Sequence, residues 1–202
     1  MTENSAKIGG LLLAAGGSRR MGSPKQLLEF KGKTLLRRAA EALVDAGCDP
    51  VIVVLGAETD RSKIEIDDLP VSVSINQDWE NGMSSSIRVG LEKLLSIKPD
   101  NDAVMITLCD QPFVTSDKIA LFTNEFEQSR SPIIAAKYDD VLGVPALFGK
   151  ELFSGLMQIE GDKGARDLIR NYEGVKGIDL PEAAFDLDTR DEWDRAGASP
   201  PS

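Results

Sequence analysis

Ile8-Gly9-Gly10-Leu11-Leu12-Leu13-Ala14-Ala15-Gly16-Gly17-Ser18-Arg19-Arg20-Met21-Gly22-Ser23-Pro24-Lys25 is where reading of this chain starts. Its first seven residues form a short apolar run with no helical period and no alternation, as expected of a strand buried on both faces. A glycine-rich, basic loop follows at once. Lys7 before an apolar stretch imitates an export signal, but Gly9, Gly10, Gly16 and Gly17 interrupt the stretch and Arg19 and Arg20 close it, so that reading is rejected. Three glycines in the loop let backbone amides approach an anion, and Arg19, Arg20 and Lys25 supply charge-assisted bonds. The glycines do not fall as GxGxxG. Gly17 and Gly22 have Walker A separation, yet Ser23-Pro24 stands where Lys-Ser/Thr belongs. Spacing alone therefore leaves two readings open, an anion cradle or a plain strand-to-helix turn.

Outward from this segment the apolar period keeps switching. Val51 to Leu55, Val71 to Ile75, Val104 to Cys109 and Pro132 to Ala136 read as further strands. Between strands, Leu35/Leu36, Ala39/Ala40 and Leu43 share a helical face ended by Gly47; Ile87, Leu91 and Leu94/Leu95 form a second, and Ile119, Phe122 and Phe126 a third. The order βαβαβαβαβ predicts a three-layer α/β/α unit around a mostly parallel sheet. From Val144 to about Asn171 the repeat breaks into two short helices, around Leu152–Met157 and Ala165–Ile169. The expectation is one domain over 1–196 and a disordered small, polar, Pro-rich tail over 197–202.

The chain has 202 residues and a formal net charge of −10, with 33 acids against 23 bases, a balance that repels nucleic acid and anionic membranes. Charge is uneven. Residues 1–38 hold eight bases against two acids, a cationic island in an anionic protein, of which Arg37 and Arg38 read as a solvated helix face. There is no histidine, which excludes His-based triads, His-ligated metals and an imidazole base. Cys48 and Cys109 support neither a disulfide framework nor a zinc cluster, Cys109 reads as a small core residue, and no run approaches a membrane span, so a cytoplasmic protein is expected. In an open α/β sheet ligands bind beyond the carboxyl ends of strands. Asp110, directly after the run ending at Cys109, stands at such a point.

The pattern L-A-A-G-x-x-x-R-M-G-x-x-K resembles the signature loop of the MobA-like nucleotidyltransferases, which join an NTP to a phosphorylated acceptor and release pyrophosphate. The resemblance implies a Rossmann-like sheet of the nucleotide-diphospho-sugar transferase type, with Leu13, Ala14, Ala15, Gly16, Gly17, Arg19, Arg20 and Lys25 at the nucleotide. Members with L-A-A-G tend to use CTP and those with L-A-G-G guanine nucleotides, so Ala15 points to CTP. Asn81-Gly82-Met83-Ser84-Ser85-Ser86-Ile87-Arg88 resembles an element of the molybdenum cofactor cytidylyltransferase branch. On chemistry alone its serines cap a helix or bind an anion, and Ser84 and Ser85 are taken as nucleotide ligands. Leu108-Cys109-Asp110-Gln111-Pro112 resembles the family's strand-end D-x-P, whose aspartate holds magnesium, and Asp186-Leu187-Asp188-Thr189 its second metal element. Gly143-Val144-Pro145-Ala146-Leu147-Phe148 and Gly161-Asp162-Lys163-Gly164-Ala165-Arg166 resemble acceptor-side segments, so Lys163 or Arg166 would meet the acceptor phosphate. Val144 and Arg190 depart from the histidine and proline common in that branch.

These readings give Arg19, Lys25 and Asp110 catalytic roles and place Mg2+ on Asp110 and Asp188, with Asp186 as fallback. Both aspartates could instead be helix N-caps. The implied partners are CTP, a molybdopterin-type acceptor and a client enzyme of xanthine-dehydrogenase type. Rivals are transfer to a sugar or polyol phosphate, and a nucleotide-binding maturation factor without turnover.

Overall fold

A computed structural model describes residues 5–17, 24–161 and 164–185. Strand β1 (Ile8–Ala14) is buried along its whole length and lies at the centre of a seven-stranded sheet, between β4 (Val51–Leu55) and β6 (Ala103–Leu108), parallel to both. Beyond β4 lies β5 (Val71–Ile75), also parallel; beyond β6 come β8 (Val141–Gly149), β7 (Ile133–Tyr138) and β9 (Lys176–Asp179). The order is β5-β4-β1-β6-β8-β7-β9. Only β8 runs against its neighbours, so six strands share one direction. A two-residue hairpin, β2 (Glu29–Phe30) with β3 (Lys33–Thr34), stands apart from the sheet.

Helix α1 (Leu35–Asp45) begins where the Thr34 hydroxyl accepts from the Arg37 amide, and it ends before Gly47, whose φ of 82° lies in the left-handed region. With α4 (Ser116–Ser129) it covers one sheet face through Leu36, Ala40, Leu43, Ile119, Phe122 and Phe126. The other face is covered by α3 (Met83–Ile97), α5 (Phe153–Gln158) and α6 (Arg166–Asn171), through Ile87, Leu91, Leu94, Leu156 and Ile169. Close approach of α3 to the sheet requires Gly90: a methyl there would lie 2.2 Å from Leu11 Cδ1 and 2.7 Å from Val54 Cγ2. A short α2 (Thr59–Ile64) joins β4 to β5.

The predicted strands over Ile8–Ala14, Val51–Leu55 and Val71–Ile75 stand unchanged, while two others shift: Cys109 lies in the turn after β6, and β7 begins at Ile133 and runs on to Tyr138. The larger correction concerns β8. Gly143 and Pro145 mask a strand, because proline cannot donate to a ladder. The structure accommodates them in a register shift, Ala135 pairing with Ala146 while Ala136 pairs with Gly143, so that Val144 and Pro145 are extra residues on the β8 side. Arg37 and Arg38 are also not a merely solvated face. Arg37 forms a two-pronged pair with Asp68 and contacts Glu41, whereas Arg38 lies 5.0 Å over the Phe30 ring and donates to the Pro112 carbonyl.

Candidate active site

The carboxyl ends of β1, β4 and β6 share one edge of the sheet, and the loops leaving them converge there. Leu13 and Ala14 lie inside β1 with buried side chains, so they offer any ligand backbone only. Ala15 packs its methyl into the core and its carbonyl accepts from the Ala57 amide at 3.1 Å, tying the loop after β1 to the loop after β4. Gly16 is exposed, and a methyl there would meet nothing within 4 Å. Arg19 and Arg20 lie outside the described residues.

Lys25 opens a short 3-10 turn, and its Nζ reaches 2.9 Å from Asp110 Oδ2, both side chains being largely shielded at 13% and 24% exposure. This ion pair bridges the basic loop and the end of β6, which are 85 residues apart. The next residue, Gln26, is buried and donates to the Ala57 carbonyl at 3.3 Å. Ala57 thus receives Gln26 at its carbonyl and gives its amide to Ala15, so three loops form one hydrogen-bonded unit.

Asp110 is held in place by its neighbour. Gln111 is buried, and its carboxamide donates to the carbonyls of Val144 (3.2 Å) and Ala183 (2.8 Å). The other Asp110 oxygen, Oδ1, is buried without a hydrogen-bond partner among the described residues. A buried carboxylate oxygen with free lone pairs is expensive unless something binds it, and a hard divalent cation is a fitting occupant. No group of three or more carboxylates or thiols that could hold a metal occurs among the described residues. Asp186 and Asp188 lie outside them. The half-buried Cys109 packs against the core cluster, and burial, aided by the Asp110 carboxylate, pushes its thiol up to about 12, so at neutral pH it is protonated and no nucleophile.

The serines at the start of α3 make hydrogen bonds within the fold. Asn76 Nδ2 donates to Ser85 Oγ (2.8 Å) and Ser86 Oγ (2.9 Å), its Oδ1 accepts from the Asp78 amide, and the Ser85 hydroxyl bonds the carbonyl side of the turn at Asp78 and Gly82. Ser85 is therefore engaged in building the start of α3, and Ser84 is buried beside it. The segment from Ile159 to Gly161 and Gly164 contact that same helix start. Arg88 donates to the Ile159 carbonyl at 2.7 Å, the Ser84 amide bonds the Gly161 carbonyl at 3.4 Å, and Gly164 abuts Met83. Arg166 follows, exposed, at the head of α6; Lys163 lies outside the described residues. Lys31, Lys33 and Arg38 line a cleft of about 210 Å³ with Cys109, Gln111 and Pro112, on the α1 and α4 side of the Asp110 turn.

Sequence reasoning missed Gln26, Asn76 and Trp79, whose roles depend on contacts with other loops. The signal available was polar residues beside two glycine-bearing turns.

Solved structures share the fold. Rv0371c from Mycobacterium tuberculosis H37Rv superposes with a TM-score of 0.83 at 28% identity, covering 95% of this chain and 97% of that one, and the same protein has been crystallised in complex with manganese. Among relatives, a protein of Paenarthrobacter nicotinovorans named nicotine blue oxidoreductase is 30% identical, over 81% of each chain. A probable molybdenum cofactor guanylyltransferase of Bacillus cytotoxicus is 26% identical, covering 92% of this chain and 86% of its own length. The MobA-like NTP transferase domain matches residues 10–175, from the glycine-rich loop through the Asp110 turn to α6, and the chain belongs to that family.

Proposed function

We propose that this protein is a cytoplasmic, metal-dependent cytidylyltransferase that moves CMP from CTP to the terminal phosphate of a molybdopterin-type acceptor, releasing pyrophosphate, in the service of a xanthine-dehydrogenase-type enzyme. Residues 1–196 serve as its single catalytic domain, with 197–202 as a tail. The observation that carries the reading is the Lys25–Asp110 ion pair, which sets a cation from the glycine-rich loop against a carboxylate at the end of β6.

The chemistry suits a chain without histidine. An acceptor phosphate is already anionic at neutral pH, so its oxygen attacks the α-phosphorus and the α–β bridge bond breaks without removal of a proton by the protein. The protein's work is to bring two anions together and neutralise their charge. Lys25, with Arg19 and Arg20, takes the triphosphate, the exposed Gly16 lets it approach the backbone, and Lys163 or Arg166 orients the acceptor phosphate. Asp110, with Asp188, would hold the divalent ion, which when bound supplies charge neutralisation on phosphate oxygens. Asp110 keeps Lys25 in place through Oδ2 and offers the ion its unpartnered Oδ1. Ala15, in the L-A-A-G pattern, supports CTP; the guanylyltransferase name of one relative puts GTP beside it in the test.

The test is a panel of CTP, GTP, ATP and UTP with Mg2+ or Mn2+, scored by pyrophosphate release with and without molybdenum cofactor. Release with CTP that depends on the acceptor is expected. Release with GTP alone would overturn the base assignment and keep the reaction class. No release with any nucleotide would overturn the transferase reading, and reduction of a dye substrate would then move the chain to the activity in the other relative's name.

A further inference from the structure

Two glycines at the site have no conformational reason to be glycine. Gly17, in the loop after β1, and Gly56, directly after β4, both have φ outside the left-handed region, so an L-residue fits their backbones. What excludes a side chain is Trp79, joined at Gly56 by the Ala15 backbone. A methyl on Gly17 would lie 2.6 Å from Trp79 Cη2 and 3.1 Å from Cζ3; one on Gly56 would lie 2.7 Å from Trp79 Cγ and 2.7 Å from the Ala15 carbonyl oxygen. The far edge of the indole therefore rests on Gly17 and its near edge on Gly56. Gly16, the neighbour of Gly17, touches nothing there. Trp79 itself is set by the 3-10 turn Trp79–Asn81, anchored where the Asn76 carboxamide fixes the Asp78 amide, and it packs against the core cluster on the α3 side of the sheet.

We infer that Trp79 is a positioning residue for the nucleotide, a rigid spacer that fixes the Ala15–Gly17 loop relative to the Gly56–Ala57 loop, so that the cradle is already shaped before a triphosphate enters. The inference rests on the nucleotidyltransferase reading. A planar side chain against two side-chain-free residues leaves those loops little freedom, and binding to a preformed cradle avoids the ordering cost that a mobile glycine loop would bear. Trp79 acts through the loop, so its loss weakens nucleotide binding and leaves the acceptor side alone.

The experiment measures CTP affinity by calorimetry in the presence of Mg2+, together with KM for each substrate, in Trp79→Phe, Gly17→Ala and the double variant, each checked for native circular dichroism. Phenylalanine keeps the ring contact with Gly56 and vacates the space of Cη2. Gly17→Ala alone is expected to weaken CTP binding at least tenfold. In the double variant the added methyl enters the vacated space, and affinity should return to within threefold of Trp79→Phe alone. Throughout, KM for CTP rises while kcat and KM for the acceptor stay within threefold. Two effects that simply multiply in the double variant, or Gly17→Ala binding CTP as the wild type does, overturn the spacer. Should Gly17→Ala fail to fold, Trp79→Phe and Trp79→Leu decide, because a spacer requires CTP affinity to fall in that order and equal affinities contradict it. Wild-type protein that binds no nucleoside triphosphate would overturn the transferase reading, and the spacer with it.

Discussion

Asp110 has two oxygens in different circumstances, one paired with Lys25 at 2.9 Å and one buried without a partner among the described residues. Asp110→Asn preserves shape and removes the charge, so turnover should fall by about 100-fold or more, by analogy with loss of one preorganised electrostatic group, while CTP binding weakens only modestly. Steady-state kinetics beside calorimetry separates the two, and unchanged turnover removes Asp110 from the metal. Ala15→Gly should relax preference for CTP over GTP, read as the ratio of kcat/KM values; an unaltered ratio means that the base is recognised elsewhere. The cysteines carry a pH prediction. Burial pushes both Cys48 and Cys109 up to about 12, above the usual thiol value, so the reactive thiolate is nearly absent at pH 8 and appears only as the pH nears 12. Native protein should therefore resist alkylation at pH 8 and react readily in denaturant; fast labelling of the native state would contradict this. At this scale the cation and the carboxylate were legible through motif resemblance, whereas spacing said only that an anion might be bound.

Elements are where sequence and structure part in an instructive way. Central parallel strands announce themselves because burial on both faces gives continuous apolar runs, as in Val51–Leu55. β8 does not, since Gly143 and Pro145 occupy a register shift that only its partner strand defines. The hairpin β2–β3 and the edge strand β9 are two to four residues long, too short for any period to show. The serines that begin α3 looked like ligands because a helix start binds anions and caps itself with the same atoms. Asn76, 9 and 10 residues away, donates to the Ser85 and Ser86 hydroxyls, a contact that the serine run by itself does not announce. Removing it leaves buried hydroxyls without their donor, so Asn76→Ala should cost about 1–3 kcal/mol in urea unfolding. Gly90→Ala forces a methyl against Leu11 and should cost a similar ~1–3 kcal/mol by overpacking. A variant as stable as the wild type in either case would show that α3 is seated differently.

Across the whole molecule, the two ends of the sheet do different work. At the end opposite the site, Asp102 accepts from the Lys7 amide (3.1 Å) and from Lys150 Nζ (3.3 Å), joining the starts of β1 and β6 to the end of β8. The Lys7 amide first, then Lys150, hold its carboxyl below the ordinary value of 3.8. A carboxyl depressed in the folded state stabilises above its unfolded value and loses that contribution as pH falls through the folded one. Asp102→Asn should therefore cost about 1–2 kcal/mol at pH 7, with the gap from wild type closing below pH ~3.8; a gap independent of pH would exclude the carboxylate as its source. At the carboxyl ends of the strands, loops separated by tens of residues meet, and this is the part least legible in a linear chain: Gln26 meets Ala57, and Trp79 meets Gly17, across loops that only the sheet brings together. The proposed reaction requires a cation from the first loop and the acid at the end of β6 to act together on a triphosphate. Pyrophosphate release from CTP, followed side by side in wild-type protein and in Asp110→Asn with molybdenum cofactor and a divalent ion present, tests it most directly: acceptor-dependent release by the wild type and almost none from the variant is predicted, and equal release by both would contradict it.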